Sequence, residues 1–209
     1  MNVIIFGATG QIGEEVTRQA LDAGHEVTAF ARNPQQLEVD HPRLRRRAGD
    51  AYDAKSVAGA VEGHEAVVIT LGTGKSRKNT LRSEGTRNVV NAMRQHDVDR
   101  LVCQTTLGCQ ETWGQLNFFW KRIMFGAAIR PVFKDHETQE RVVQTSELDW
   151  TIVRPSAFTD RPGDEELLVG FPPTQRGLAF TVAKSEVAAF IVGQLESRSY
   201  IRKAVSLSR

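Results

Sequence analysis

Gly7, Gly10 and Gly13 recur at three-residue intervals in the run Gly7-Ala8-Thr9-Gly10-Gln11-Ile12-Gly13. Glycines spaced this way make a tight turn and leave the backbone amides unobstructed by Cβ atoms. A helix starting at once aims the positive end of its dipole into the turn. That combination suits the pyrophosphate of a dinucleotide. The spacing is G-x-x-G-x-x-G rather than G-x-G-x-x-G, so the motif draws its meaning from a strand before it and a helix after it. At the end of the next strand-like run, an NAD-binding chain carries Asp or Glu for the ribose 2′-hydroxyl. Here Phe30-Ala31-Arg32-Asn33 has no acid. The Arg32 guanidinium suits a 2′-phosphate, which it can grip as a charge-assisted fork. NADPH is therefore the expected cofactor.

The elements that must position these groups are readable as alternating runs. Residues Asn2 to Phe6 are a short apolar strand ending at a glycine, and Ile12, Val16, Ala20 and Ala23 recur at helical spacing. Strands are expected at 26–31, 44–48, 66–71 and 101–105, with helices at 54–61 and 81–94. Strands alternating with helices predict an α/β fold, a doubly wound parallel sheet of the Rossmann type. The second half is less regular. Helices are expected at 113–129, 135–146 and 185–195 (Ser185 as N-cap), strands at 150–153, 179–182 and 204–207, and a long loop over 160–173. Residues 1–209 read as one domain with a small C-terminal part covering the substrate.

Composition narrows the class. With 27 Lys+Arg against 25 Asp+Glu, the net charge is +2, so no global attraction to nucleic acid is expected. Arg43, Arg45, Arg46 and Arg47 are expected to be mostly surface charge. Two cysteines, Cys103 and Cys109, make neither a disulfide framework nor a zinc site, and no metal is expected. No apolar run is long enough to span a membrane. The strand-like start leaves no room for a charged leader, and a cytoplasmic protein is expected.

The segments GATGQIG, FARNP, GDAYD, ITLGTG, SEGTRNVVNAM, DRLVCQTT and DWTIVRPS stand in this order. In them the chain resembles the atypical short-chain dehydrogenase/reductases. Within that group it is most similar to the biliverdin reductase B, or NADPH-dependent flavin reductase, branch, with NmrA-like proteins as wider kin. The resemblance implies a Rossmann domain that binds NADP(H) and reduces flavins or bilins by hydride transfer. It implies cofactor contacts at Gly7, Thr9, Gly10, Gln11, Ile12, Arg32, Asp50, Ala51, Leu71, Gly72, Arg87, Gln104, Thr106, Pro155, Ser156 and Ala157, and a further one at His136. Two departures stand out. The branch has a histidine where this chain has Ser156, and usually a serine where it has Thr106.

The available chemistry is restricted. The tyrosines are Tyr52 and Tyr200, and four residues beyond each stand Ser56 and Ala204. The Tyr-x-x-x-Lys pair that protonates a carbonyl in most short-chain dehydrogenases is absent, which disfavours alcohol–ketone chemistry. Reducing a conjugated ring system asks mainly for orientation of two planar groups. Thr106 either bonds the nicotinamide or acceptor edge or simply bonds backbone. His136 either donates a proton, since histidine alone titrates near neutrality, or contacts the cofactor without chemistry. Six aromatics lie in residues 113–133. Leu116, Phe119, Trp120, Ile123, Met124 and Ala127 follow helical spacing and read as a core stripe. Phe118 and Phe125 fall on the opposite face, as a lid over a planar small-molecule acceptor, a homodimer contact, or part of a membrane-surface helix. Otherwise the chain is a monomer. The alternative to a reductase is a non-catalytic NADP(H) sensor that controls a partner protein.

Overall fold

The computed structural model describes residues 1–72, 80–116, 130–164, 166–172 and 174–209. β1 (Asn2–Phe6), β2 (Glu26–Ala31), β3 (Leu44–Ala48), β4 (Ala66–Ile69), β5 (Arg100–Gln104), β6 (Asp149–Pro155), β8 (Leu168–Val169) and β10 (Lys203–Ser208) form one sheet in the order β3-β2-β1-β4-β5-β6-β10-β8. Every pairing is parallel except that of β10 with β8. A small parallel pair, β7 (Ala157–Thr159) and β9 (Thr181–Ala183), sits beside it.

Alternation along β1 shows why both faces are covered. Val3 and Ile5 point into one apolar cluster, Ile4 and Phe6 into another, and all four are fully buried. The first cluster takes α1 (Gln11–Asp22) and α5 (Lys184–Gly193), which pack on each other. On the other face α2 (Ala54–Val61), α3 (Leu81–Gln95) and α4 (Arg130–Gln144) pack in sequence. The doubly wound expectation holds. The strand order reverses between β1 and β4, so their C-terminal loops flank the crevice where open α/β sheets bind ligands.

The basic run on β3 is an edge strand with exposed arginines, a usual defence against edge pairing. Arg43 donates to the Leu21 and Gly24 carbonyls at 2.9 and 3.1 Å and so closes the end of α1. α3 is capped from another helix. Its N-cap Thr80 makes no side-chain cap bond, and the Asp135 carboxylate on α4 accepts instead from the amides of Arg82 and Ser83 at 3.1 and 3.2 Å.

Several expectations for the second half need correction. α5 starts at Lys184, and the Glu186 carboxylate reaches back to the Ala183 amide at 3.1 Å, so Ser185 is not its N-cap. The 160–173 loop contains β8, which pairs with Leu207 and Ser208. Of the helix expected at 113–129, a 3-10 helix over Gln110–Gln115 closes at Leu116, and residues 117–129 lie outside the described residues. Phe118 and Phe125 fall there, with most of the core stripe.

A buried ion pair ties the C-terminal ends of β5 and β6 to α4. Arg154 is 1% exposed and Glu140 0%, and their side chains meet at 2.9 and 2.7 Å. Glu140 also accepts from the Thr105 hydroxyl at 2.7 Å, and Arg154 reaches the exposed Glu111 at 2.5 Å. Burial opposes the Arg154 charge, but the two carboxylates more than offset it and raise its pKa. Removing one member strands the other. Glu140→Ala should lower stability by about 3–5 kcal/mol, whereas replacing Glu140 and Arg154 together by Met and Leu should cost much less. Urea unfolding of the three chains checks this, and equal losses would contradict it.

Candidate active-site cleft

The C-terminal ends of the parallel strands open into one cleft of about 830 Å³, near the top of the range for small-molecule sites. Its floor begins at the glycine turn. Gly7 has φ +88°, and a Cβ there would stand 2.6 Å from the Thr70 carbonyl oxygen. A Cβ on Gly13 would stand 2.1 Å from the Gly7 oxygen, so helix and turn pack at a distance only hydrogen permits. Gly10 is the N-cap of α1 and offers no side-chain cap. The first-turn amides of Gln11 and Ile12 have no carbonyl four residues back within the helix. Both residues line the cleft, and with the helix dipole they make an anion cradle.

Arg32 lines the cleft at the end of β2, is exposed, and makes no ion pair or side-chain hydrogen bond among the described residues. Asp50 and Ala51 follow β3 on the same side. The Asp50 carboxylate accepts from the Tyr52 amide at 3.0 Å, while Asp53 caps α2. Thr70, Leu71 and Gly72 follow β4, and Gln104 to Leu107 follow β5. Pro155, Ser156 and Ala157 close the far side after β6. The Ser156 hydroxyl oxygen is buried and has no hydrogen-bond partner among the described residues. A buried hydroxyl left unpaired at a cleft wall is satisfied once a polar ligand group arrives. The cradle and this hydroxyl both fit a bound dinucleotide.

The structure thus brings Gly7, Thr9, Gly10, Gln11, Ile12, Arg32, Asp50, Ala51, Leu71, Gly72, Gln104, Thr106, Pro155, Ser156, Ala157 and His136 to one cleft. It does not bring Arg87. That residue is exposed on α3 and does not line the cleft. Five positions beyond cleft-lining Arg82, it is turned about 140° around the helix. The Thr106 hydroxyl makes one long contact, 3.4 Å to the Leu107 carbonyl.

His136 lines the cleft with its pKa held low. It is 7% exposed, and burial first, then the Arg82 charge, lowers its pKa to about 3. Gln139 donates through Nε2 to Thr86 and Cys103, which turns its Oε1 toward His136 Nδ1 at 3.1 Å. The ring is therefore neutral with the proton on Nδ1, and its Nε2 is an acceptor. Cys103 and Cys109 are both buried and free, and burial raises both thiols, so neither is a ready nucleophile. Tyr52 and Tyr200 lie outside the cleft lining.

Sequence reasoning missed Arg82, Leu107, Leu116, Phe158 and Phe180, which also line the cleft. Phe158 directly follows the Pro155–Ala157 segment and was within reach of that motif. Phe180 carried no signal: it adopts φ +57°, a left-handed conformation costing a non-glycine residue about 1–2 kcal/mol.

Fold and cleft define the class: a Rossmann-type dinucleotide-binding protein. The NAD(P)H-binding family model matches residues 7–198, and the chain belongs to that family. A 3-beta-hydroxysteroid dehydrogenase from Mycolicibacterium neoaurum is 35% identical over 112 residues, 48% of this chain and 30% of that protein. The chain thus matches under a third of that relative's length. Among solved structures, a short-chain dehydrogenase/reductase from Veillonella parvula in complex with NADP superposes with a TM-score of 0.82 at 17% identity, covering 100% of this chain and 94% of that one. ChuY, an anaerobillin reductase from Escherichia coli O157:H7, does so with a TM-score of 0.78 at 24% identity, covering 99% and 96%. The fold is shared, and no described helix is long and apolar enough to cross a membrane.

A histidine kept neutral by burial penalises acid. Between about pH 6.5 and 3 the unfolded chain binds a proton that the folded one refuses, so this contribution lowers stability as pH falls. His136→Gln should remove it. The wild-type minus variant stability, from urea titrations at pH 7, 5.5 and 4.5, should fall by about 1 kcal/mol per pH unit below 6. A difference independent of pH would mean that the folded ring takes up its proton as readily as the unfolded one, and the neutral His136 would fall.

Proposed function

We propose that the chain is an NADPH-dependent oxidoreductase that passes hydride to a flavin, bilin or similar conjugated acceptor. The observation that carries this reading is the composition of the cleft beyond the glycine turn. Leu107, Leu116, Phe158 and Phe180 add apolar lining, His136 is an acceptor, and neither tyrosine of the chain is present. Such a site orients a planar ring and offers little to a carbonyl that needs a proton from a tyrosine. Bound NADPH supplies the hydride. The chain's own residues hold it: the Gln11 and Ile12 amides at the pyrophosphate, Arg32 at the 2′-phosphate, and Thr106 and Ser156 toward the nicotinamide half. Protons reach a conjugated acceptor from water, so no acid residue is required. ChuY shares the fold and is an anaerobillin reductase, which supports the bilin arm of the reading.

Arg32→Glu should weaken NADPH binding by about tenfold or more while changing NADH binding far less, because only the 2′-phosphate engages the fork. Calorimetry with both coenzymes checks the assignment, and equal losses would remove it. Steady NADPH oxidation with FMN, biliverdin or a quinone tests the activity. Tight cofactor binding with no acceptor turned over would leave a sensor instead.

A further inference from the structure

Phe180 stands at φ +57°, a backbone conformation that is costly for a residue with a side chain. Such a residue persists only where its surroundings over-determine it. Three main-chain bonds to Arg209 do part of this. The Arg209 oxygen accepts from the amides of Ala179 and Phe180, the latter at 3.1 Å, and the Arg209 amide donates to the Thr181 carbonyl at 2.9 Å. Residue 209 thus grips the chain on both sides of Phe180. On the other edge, the Phe180 carbonyl accepts from the Ala157 amide at 3.0 Å. The Phe180 ring packs on the apolar cluster of Cys109, Leu116 and Phe133 and lines the cleft.

Arg209 is itself anchored. Its guanidinium meets the Glu186 carboxylate as a fork, Nη1 to Oε2 at 2.5 Å and Nη2 to Oε1. The side chains are 7% and 19% exposed, so water and salt screen the pair little. The bond from Arg209 holds the Glu186 carboxyl below its usual range. Glu186 Oε2 also accepts from the Ala183 amide at 3.1 Å, which ties the fork to the start of α5. A rigid helix end therefore fixes residue 209, and residue 209 fixes Phe180. The place is informative. Ala157 lies two residues beyond β6, and β1, β4 and β5 separate β6 from β2, which leads to Arg32. At the usual strand spacing that is about 19 Å.

We propose that Arg209 is a positioning residue for the acceptor: forked onto Glu186, it holds the Phe180 ring as a face against which the acceptor lies. The inference rests on the hydride-transfer reading of the cleft. With the adenosine phosphate at Arg32, the acceptor takes the β6 end, where Phe180 is bonded to Ala157. An apolar ring held in one orientation costs a planar ligand less on binding than one that must first be ordered.

Calorimetry reads the affinity of the full chain for NADP⁺, and of the NADP⁺-loaded chain for FMN and biliverdin, without turnover. Arg209→Gln should weaken binding of whichever probe the wild type takes by about fivefold, the worth of one aromatic contact, with NADP⁺ affinity held within about twofold. Arg209→Lys should recover part of the loss. Phe180→Leu should weaken the probe similarly, and both changes together should cost little more than either alone, because one acts through the other. Should Arg209→Gln not fold, Glu186→Gln, which keeps an oxygen for the Ala183 amide, replaces it with the same outcomes expected. Additive losses overturn the proposal, as does a wild type that binds neither probe. So does an Arg209→Gln chain that is less stable to urea yet binds the probe unchanged, the result of a merely structural pair. A Phe180→Leu chain that loses NADP⁺ instead would make the ring a cofactor wall and overturn it too. If the losses are non-additive while no probe is reduced by NADPH, the hydride-transfer reading fails and the clamp stands. If wild type and Arg209→Gln reduce and bind the probes alike, the reading stands and the clamp falls.

Discussion

The carbonyl oxygen of Gly7 lies 2.1 Å from where a side chain on residue 13 would begin, and the Thr70 carbonyl 2.6 Å from where one on residue 7 would begin. These two approaches hold β1, the first turn of α1 and the end of β4 in a single unit, with Thr70 Oγ1 donating to the Phe6 carbonyl at 3.1 Å. Everything in the cleft is measured from that unit. The helix start is left without a side-chain cap, so its amides stay open to water or to an arriving anion. A turn built this tightly cannot trade its glycines for a better-capped helix without closing the space that the pyrophosphate takes.

The far end of the cleft obeys a different constraint, which is how to hold polar groups in a dry wall. The chain answers with networks that finish inside the protein. Glu140 joins Thr105 to Arg154, and Gln139 joins His136 to Thr86 and Cys103. Both glutamate and glutamine lie on the turn of α4 that follows His136, so one helical face positions the β5 loop, the β6 loop and the imidazole together. Thr105 is consumed by this network while Thr106, one residue on, keeps a nearly unengaged hydroxyl in the cleft. Neighbouring threonines thus divide into one that builds the wall and one that faces the ligand.

How much of this was legible in the sequence follows from the range of the interactions. The first half is made of local signals: apolar runs ended by glycine, helices of about three turns, an arginine where an acid would otherwise stand. Those place β1 to β5 and α1 to α3 within a residue or two and put the adenosine side of the cleft in order. The nicotinamide side depends on contacts across the fold. That His136 is neutral follows from its burial and the nearness of Arg82, 54 positions earlier, and no spacing encodes that. Phe180 reaches the cleft through a strained backbone that hydrophobic pattern cannot anticipate. Arg87, by contrast, is exposed and outside the cleft lining, because α3 turns it about 140° from Arg82.

The two halves also differ in what they ask of a ligand. On the adenosine side, donors and a cation meet a molecule whose charges are fixed, and recognition is a matter of reach. Beyond the glycine turn the protein offers a neutral imidazole, a buried hydroxyl, four apolar side chains and one desolvated guanidinium. None of these is poised to give up a proton at neutral pH. Under the proposed reading, rate acceleration at such a site comes from holding rings face to face in a space with little water. Under the proposed hydride-transfer reading, that division accounts for the absent tyrosine–lysine pair: an acceptor whose own π-system spreads the incoming negative charge leaves little for an acid residue to stabilise.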